Sequence, residues 1–298
     1  MEKPLALVIA AGSLGDSLFT LPALRYLQSR GEVTVAGTQP FLSLDSDLLG
    51  ISRVVPLDPL LQKLLTPGAL ESSTADFLSP FKEAYVFFKE KDESLLQKLA
   101  SVPGLQVYIP SKPFKMFLEE ARSAADYWLE TATRKSLSEE SPFRQSKLQI
   151  SESLRQKGSE ILASLGLSSP LVIHPGSGSP KKNAPLSFFR TAAERAGAES
   201  RKQVLVAWGE AEEKNLGEIR EAFKGLNHVR VLAEPLPLKL LAAVLSQSAA
   251  YLGNDSGVTQ LAAACGLRTF AVFNSTDARV WAPQANAIIL SMLKGNLH

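Results

Sequence analysis

Cysteine and histidine are scarce in this sequence of 298 residues, which contains one cysteine and three histidines. The single Cys265 cannot form an intramolecular disulfide, so a reducing compartment such as the cytoplasm is expected. So few sulfur and imidazole ligands leave no convincing set for a zinc site, and no metal is expected.

Long apolar runs and an excess of one charge are also missing. No stretch reaches the ~18 uncharged apolar residues that a membrane-spanning helix needs. The formal net charge is +2, from 32 Lys and Arg against 30 Asp and Glu, which is too small to drive binding to nucleic acid. The short apolar run Leu5–Ala11 ends in a glycine loop and predicts a first strand rather than a signal peptide.

Hydrophobic residues make up 45% of the chain and charged residues 21%, as in ordinary globular proteins. After the apolar run at the start, Leu18, Leu21, Leu24 and Leu27 recur at helical spacing, and a second short strand follows. This order predicts a parallel sheet covered by helices. Farther on, an apolar stripe predicts one long helix over Phe114–Arg134 that packs on its own domain.

The second half repeats the same alternation, beginning with an apolar strand at Leu171–His174. A polar segment at 136–150, rich in Ser and Glu, is the best candidate for a linker. Together with the chain length, this predicts an α/β protein of two Rossmann-like domains, 1–148 and 149–298. We expect the two parallel sheets to face an interdomain cleft.

The first motif is Gly12-Ser13-Leu14-Gly15-Asp16, between a strand and a helix. The N-terminus of a helix favours an anion, and Asp16 there is either a helix cap or a general base aimed into a cleft. The motif is not the dinucleotide fingerprint, and no acidic residue ends the second strand near 36–39. A nicotinamide-dependent oxidoreductase is therefore disfavoured.

The second motif runs from His174 to Asn183 and contains glycines, serines and two lysines, which suit a diphosphate. Its alternative interpretation is a solvated turn, with His174 in a structural role. The third motif, Gly253–Gly257, again lies between strand and helix, where α/β proteins bind ligands. Asp255 or Ser256 would cap that helix.

In order and spacing, these motifs resemble the heptosyltransferase family, glycosyltransferase family 9. The stretches that match are Gly12–Leu24, His174–Pro185, Gly253–Gly266, Thr276-Asp277 and Trp281-Ala282-Pro283. The resemblance implies the GT-B fold. It also implies inverting, metal-independent transfer of heptose from the nucleotide sugar ADP-heptose to a lipopolysaccharide inner-core acceptor, which is linked to lipid A.

The resemblance also implies roles for individual residues. Asp16 takes the place of the general base, Lys182 that of the phosphate-binding lysine, and Glu212 that of the acidic residue that holds the ribose. The remaining donor contacts fall on Ser177, Gly178, Asp255, Ser256 and Gly257. We expect the acceptor to contact Gly15, Lys112 and Lys115, with peripheral contact between the protein and the inner face of the inner membrane.

Three departures from the family pattern keep other functions open. Ala184 replaces the tryptophan before Pro185, and Asn274-Ser275 replaces Gly-Pro after the strand ending at Phe273. The sequence also ends soon after Leu290, whereas in relatives a longer segment crosses back to the first domain. The alternatives are a transferase that uses another nucleotide sugar on a different glycan, and a non-catalytic nucleotide-sugar-binding paralogue.

Overall fold

The computed structural model describes residues 5–137, 141–200 and 202–292, and the chain divides into two compact units between Ser146 and Lys147. This division lies inside the polar segment 136–150, of which residues 138–140 are outside the described part. Among the residues described, no helix is both long enough and apolar enough to cross a membrane.

The first unit is built on a five-stranded parallel sheet in the order β3-β2-β1-β4-β5. Its central strand β1 is the apolar run of the sequence analysis. Successive side chains of a strand point to opposite faces of the sheet, and almost all of those of β1 are buried, so both faces are covered here. The strands are β1 (Leu5–Ala10), β2 (Glu32–Gly37), β3 (Arg53–Pro56), β4 (Glu83–Phe87) and β5 (Gln106–Tyr108).

Helices connect these strands and bury one apolar face each. In the helix after β3, for example, Leu57, Leu60 and Leu64 are buried at helical spacing. The helices are α1 (Leu14–Phe19), α2 (Leu21–Arg30), α3 (Gln39–Leu49), α4 (Leu57–Leu65), α5 (Ser72–Leu78), α6 (Glu93–Ala100), α7 (Phe114–Glu119) and α8 (Ala124–Thr133), and a 3-10 helix covers Pro142–Gln145.

The prediction of one long helix over Phe114–Arg134 is wrong. The segment forms α7 and α8, because Ala121 adopts a left-handed φ of 50° and the Ser123 hydroxyl caps α8 by accepting a hydrogen bond from the Ala125 N–H. The prediction that the apolar stripe packs on its own domain is confirmed. Phe117 and Trp128 are both buried, and the Trp128 ring lies against Phe87 of β4.

The second unit has a six-stranded parallel sheet in the order β11-β10-β9-β6-β7-β8. The strands are β6 (Leu171–His174), β7 (Val204–Val206), β8 (Val229–Val231), β9 (Ala250–Asn254), β10 (Thr269–Phe273) and β11 (Ala287–Ser291). The helices are α9 (Glu152–Ser164), α10 (Leu186–Ser200), α11 (Leu216–Ala222), α12 (Leu238–Ser246), α13 (Gly257–Ala264) and α14 (Ala278–Trp281), and 3-10 helices cover Pro180–Lys182 and Glu210–Asn215.

Helices α9 and α12 pack closely because α9 carries Gly158 at the contact. A Cβ atom at this position would fall on the backbone carbonyl of Ala243, well inside contact distance. A backbone carbonyl cannot turn aside as a flexible side chain can, so any larger residue must push the two helices apart.

We expect Gly158→Ala to lower the free energy of unfolding by about 1–3 kcal/mol, because the added methyl group overpacks this contact. Gly217→Ala is the matched control in α11, where a Cβ would meet nothing within 4 Å, and it should be neutral or stabilising by up to ~1 kcal/mol. Urea unfolding of both variants measures the difference. Equal midpoints for the two variants would contradict the close approach of α9 and α12.

Candidate active site

In each sheet, the direction in which the chain adds successive strands reverses once. In the first unit, the chain proceeds from β1 outward to β2 and β3 and then returns to β4 on the other side of β1. In the second unit, the same reversal separates β6 from β9. The loops that leave the carboxyl ends of such a strand pair diverge and open a crevice, which is where α/β proteins bind ligands.

In the second unit, this geometry brings together two predicted donor residues that are far apart in sequence. The Nζ of Lys182, in the loop after β6, lies 2.8 Å from Oδ2 of Asp255, at the end of β9. Thr276 donates a hydrogen bond of 2.7 Å to the same oxygen. The carboxylate is almost fully buried, but a third of the lysine side chain remains exposed, so its ammonium is accessible to an anion.

Asn254, which the sequence analysis missed, fastens the loop after β6 to the end of β9. Its side-chain amide donates to the carbonyl of Pro175 at 2.7 Å and accepts from the N–H of Ala184 at 2.9 Å. The residue has no exposed surface. The signal in the sequence was an uncharged polar residue at the end of an apolar strand, beside Asp255.

Other predicted donor residues shape the same loops. The Ser177 hydroxyl lies 2.7 Å from Oδ1 of Asn183 and therefore bonds within its own loop, whereas Gly178 is exposed with open space beside it. Ser256 is the N-cap of α13 and accepts a hydrogen bond from the Thr259 N–H. Gly257 is the first residue of that helix, so its N–H belongs to the positive end of the helix dipole.

Glu212 lies in the 3-10 helix Glu210–Asn215, just before α11. Its Oε2 accepts a hydrogen bond of 2.8 Å from the Gly209 N–H and lies 3.4 Å from Nε2 of His174. Its side chain covers Gly176, where a Cβ would collide with the carboxylate. Burial raises the pKa of Glu212, but His174 and the backbone N–H groups outweigh burial and lower it.

In the first unit, Asp16 is part of a capping box at the start of α1. Ser13 is the N-cap, and its N–H and hydroxyl both donate to Oδ2 of Asp16, at 3.0 and 2.9 Å. The other oxygen, Oδ1, lies 2.7 Å from Nζ of Lys89. Burial acts to raise the pKa of Asp16, but Lys89 and then Ser13 lower it overall, so the side chain is a carboxylate at neutral pH.

A pocket of about 630 Å³ lies beside the ends of β4 and β5 in the first unit. It combines apolar walls with lysines, among them Lys89 and the predicted acceptor residues Lys112 and Lys115. Lys112 also pairs with Glu120. Gly15, the third predicted acceptor residue, is next to Asp16 in α1 and outside the lining. The apolar lining consists of Val86, Phe88, Leu96, Ile109, Pro110, Pro113, Phe114, Leu118 and Tyr127.

In the described residues of both units, no three His, Cys, Asp or Glu side chains are grouped so as to hold a metal ion. At each strand-order reversal a carboxylate lies beside a lysine, Asp16 beside Lys89 in the first unit and Asp255 beside Lys182 in the second.

A family model describes the chain from β5 onward. The model for glycosyltransferase family 9 (heptosyltransferase) matches residues 107–296, nearly two thirds of the sequence. The chain belongs to glycosyltransferase family 9. It is a glycosyltransferase, as the sequence motifs predicted. Among curated proteins, no sequence matches it significantly.

Solved structures of other family members share the fold. ADP-heptose lps heptosyltransferase II of E. coli is 19% identical over 97% of this chain and 90% of its own, with a TM-score of 0.74. A glycosyl transferase family 9 protein of Veillonella parvula is 17% identical over 98% and 87%, with a TM-score of 0.73. E. coli heptosyltransferase WaaC with ADP is 17% identical over 98% and 94%, with a TM-score of 0.67. The predicted GT-B fold is confirmed.

We expect Asn254→Ala to lower the free energy of unfolding by about 2–3 kcal/mol, because it leaves a buried N–H and a buried carbonyl without partners. Asn274→Ala is the control. Asn274 takes the place of the family's glycine and donates only longer bonds, 3.3 Å to the Lys181 carbonyl and 3.4 Å to that of Asn183, so its loss should cost less than ~1 kcal/mol. Urea unfolding compares the two, and equal losses would contradict the fastening role of Asn254.

Proposed function

We propose that this glycosyltransferase moves heptose from ADP-heptose to a lipopolysaccharide inner-core acceptor, with inversion and with Asp16 as the general base. The observation that carries the proposal is the ionised Asp16 carboxylate at the strand-order reversal of the first unit, in a chain of this family. The donor, the acceptor and the base are all part of the proposal.

The donor would bind the loops of the second unit. Lys182 supplies a positive charge to the diphosphate, and the N–H groups of Ser256 and Gly257 at the start of α13 supply the favourable end of a helix dipole. Glu212 is the acidic residue whose carboxylate covers Gly176, whereas Glu210 and Glu213 are exposed. This supports Glu212 as the partner of the ribose hydroxyls, with Ser177, Gly178 and Asp255 completing the donor site.

The chemical step is a single displacement. The acceptor hydroxyl oxygen forms a bond to the anomeric carbon of the heptose while the bond from that carbon to the diphosphate oxygen breaks. The hydroxyl proton passes to Asp16, and ADP leaves with the electron pair of the broken bond. Lys182 stabilises the charge that develops on the leaving diphosphate. One displacement at the anomeric carbon inverts its configuration.

The acceptor would bind the pocket of the first unit. Its lysines, Lys112 and Lys115 among them, suit an acceptor that carries negative charge, and its apolar walls suit the carbon skeleton of a glycan. Gly15 would contact the acceptor beside the base. A lipid A-linked acceptor further implies that the enzyme works in the cytoplasm, in peripheral contact with the inner face of the inner membrane.

A second candidate is a transferase that uses another nucleotide sugar on a different glycan. It is favoured by Ala184, which stands where the family has tryptophan and is buried in the core of the second unit. The small side chain of Ala184 cannot make the contact, either with the sugar or within the core, that the family's tryptophan would make.

We expect Lys182→Ala to weaken binding of ADP-heptose about tenfold to a hundredfold, since a charge-assisted bond to phosphate contributes roughly 1.5–3 kcal/mol. Lys181→Ala, the neighbouring lysine, should weaken it less. A thermal-shift series of ADP, UDP, GDP, CMP and NAD on the unaltered protein identifies the nucleotide. Unchanged affinity in Lys182→Ala would place the phosphate site elsewhere, and a preference for another nucleotide would favour the second candidate.

Substitutions of Asp16 distinguish its role as a general base from a purely structural role as a helix cap. Asp16→Asn keeps the shape of the side chain but cannot take up a proton, so transfer should fall about 10²–10⁴-fold while the melting temperature and ADP-heptose affinity change little. If Asp16 only caps α1, even Asp16→Ala should cost ~1 kcal/mol of stability and leave turnover nearly unchanged. Near wild-type transfer by the Asn variant would remove the catalytic role.

A further inference from the structure

Lys89 lies where the pocket of the first unit meets Asp16. It follows β4 by two residues, and β4 pairs with β1 in a register that sets Ala10 beside Phe87. The strand pairing therefore delivers Lys89 and Asp16 to the same end of the sheet. The Lys89 ammonium also lies 5.4 Å from the centre of the Phe114 ring, another wall of the pocket.

The two oxygens of the Asp16 carboxylate have different surroundings. Oδ2 accepts two hydrogen bonds from Ser13, which belong to the capping box and tie this oxygen to the start of α1. Oδ1 contacts Lys89. Each carboxylate oxygen can accept two hydrogen bonds, so Oδ2 is filled and Oδ1 keeps one position for a further donor. Oδ1 is thus the oxygen that suits an acceptor hydroxyl.

We propose that Lys89 is a positioning residue, which holds the Asp16 carboxylate so that the open position of Oδ1 faces the acceptor. This inference rests on the proposed function of Asp16 as the base. With Ser13 fixed on one oxygen and Lys89 on the other, the carboxylate cannot rotate without breaking one contact. Of the described charged side chains, Lys89 is the one that pairs with Asp16.

The charge of Lys89 has a second, measurable consequence. Because it lowers the pKa of Asp16, its removal should raise that pKa, and the base should then become protonated at a higher pH. The effects of Lys89 on orientation and on ionisation can be measured separately. At a pH where the Asp16 carboxylate is ionised in every variant, only a loss of orientation still lowers the activity. A merely structural ion pair would also lower the pKa of Asp16, so a fall in kcat at such a pH is the readout that is specific to positioning.

The experiment compares Lys89→Met, Lys89→Gln and Lys89→Arg with Lys98→Met. Lys98 is a lysine of the same unit that bonds to the carbonyls of Lys63 and Thr66, outside the pocket lining and away from Asp16. Transfer from ADP-heptose to a lipid A-linked inner-core acceptor is measured from the lowest pH at which each variant stays folded up to pH 9, with Asp16→Asn as the reference. The carboxyl carbon of Asp16 is titrated by NMR in parallel, which needs no substrate.

In Lys89→Met and Lys89→Gln, we expect the acid limb of kcat/KM and the NMR titration of Asp16 to move to higher pH, because the charge that lowers the pKa of Asp16 is removed. At pH 8, kcat should fall about tenfold because the base is less well oriented. Lys89→Arg should retain the charge and most of the activity, and Lys98→Met should match the wild type. Since 42% of the Lys89 side chain is exposed, the melting temperatures should change little.

The outcomes are distinguishable from a failure of the proposed function. If Asp16→Asn is inactive but the neutral Lys89 variants keep the wild-type kcat at pH 8, Lys89 does not position the base and this inference is overturned, whether or not the acid limb moves. If Asp16→Asn transfers heptose at the wild-type rate, then Asp16 is not the base, and the proposed function fails at that point.

Discussion

Parallel pairing of the strands is the constraint on which the rest of the structure depends. Strands that run in one direction end at one edge of their sheet, and helices that follow them begin at that edge, so helix N-termini and loop side chains gather there. In each unit, the two loops on either side of the strand-order reversal carry one lysine–aspartate pair of the candidate site. Asp16 and Lys89 meet in this way after β1 and β4, and Lys182 and Asp255 meet after β6 and β9.

The sequence predicted the elements whose signal is local. An unbroken apolar run such as that of β1 predicts a strand that is buried on both faces of its sheet. The glycine loop that follows it predicts the connection to the next element. The break between α7 and α8 was missed because the apolar stripe continues across it, whereas the cap by Ser123 is a single polar residue inside a helical pattern. The 3-10 helix at Glu210–Asn215 was missed for a similar reason, since its residues also suit an α-helix.

Within the candidate site, the residues could be nominated from sequence, but most of their partners could not. Lys89 belongs to no motif, and Asn254 lies within the third motif but had no role assigned to it. Their contacts depend on which strands are neighbours, and strand order arises from the packing of the whole sheet rather than from any local spacing. The roles proposed for Asp16, Lys182 and Glu212 are those that the family resemblance implies. The structure adds which atoms of each side chain already have a hydrogen-bond or ion-pair partner.

The two lysine–aspartate pairs share a feature that bears on ligand binding. In each pair the carboxylate is the more buried partner, with 17% of the Asp16 side chain and 7% of the Asp255 side chain exposed, against 42% and 32% for the lysines. A buried carboxylate without a cation tends to take up a proton, and Lys89 counters this at Asp16, whose pKa it lowers. The Lys182 ammonium can turn toward an arriving diphosphate, because it gains a charge-assisted contact as it gives up another and Thr276 keeps its hydrogen bond to Asp255.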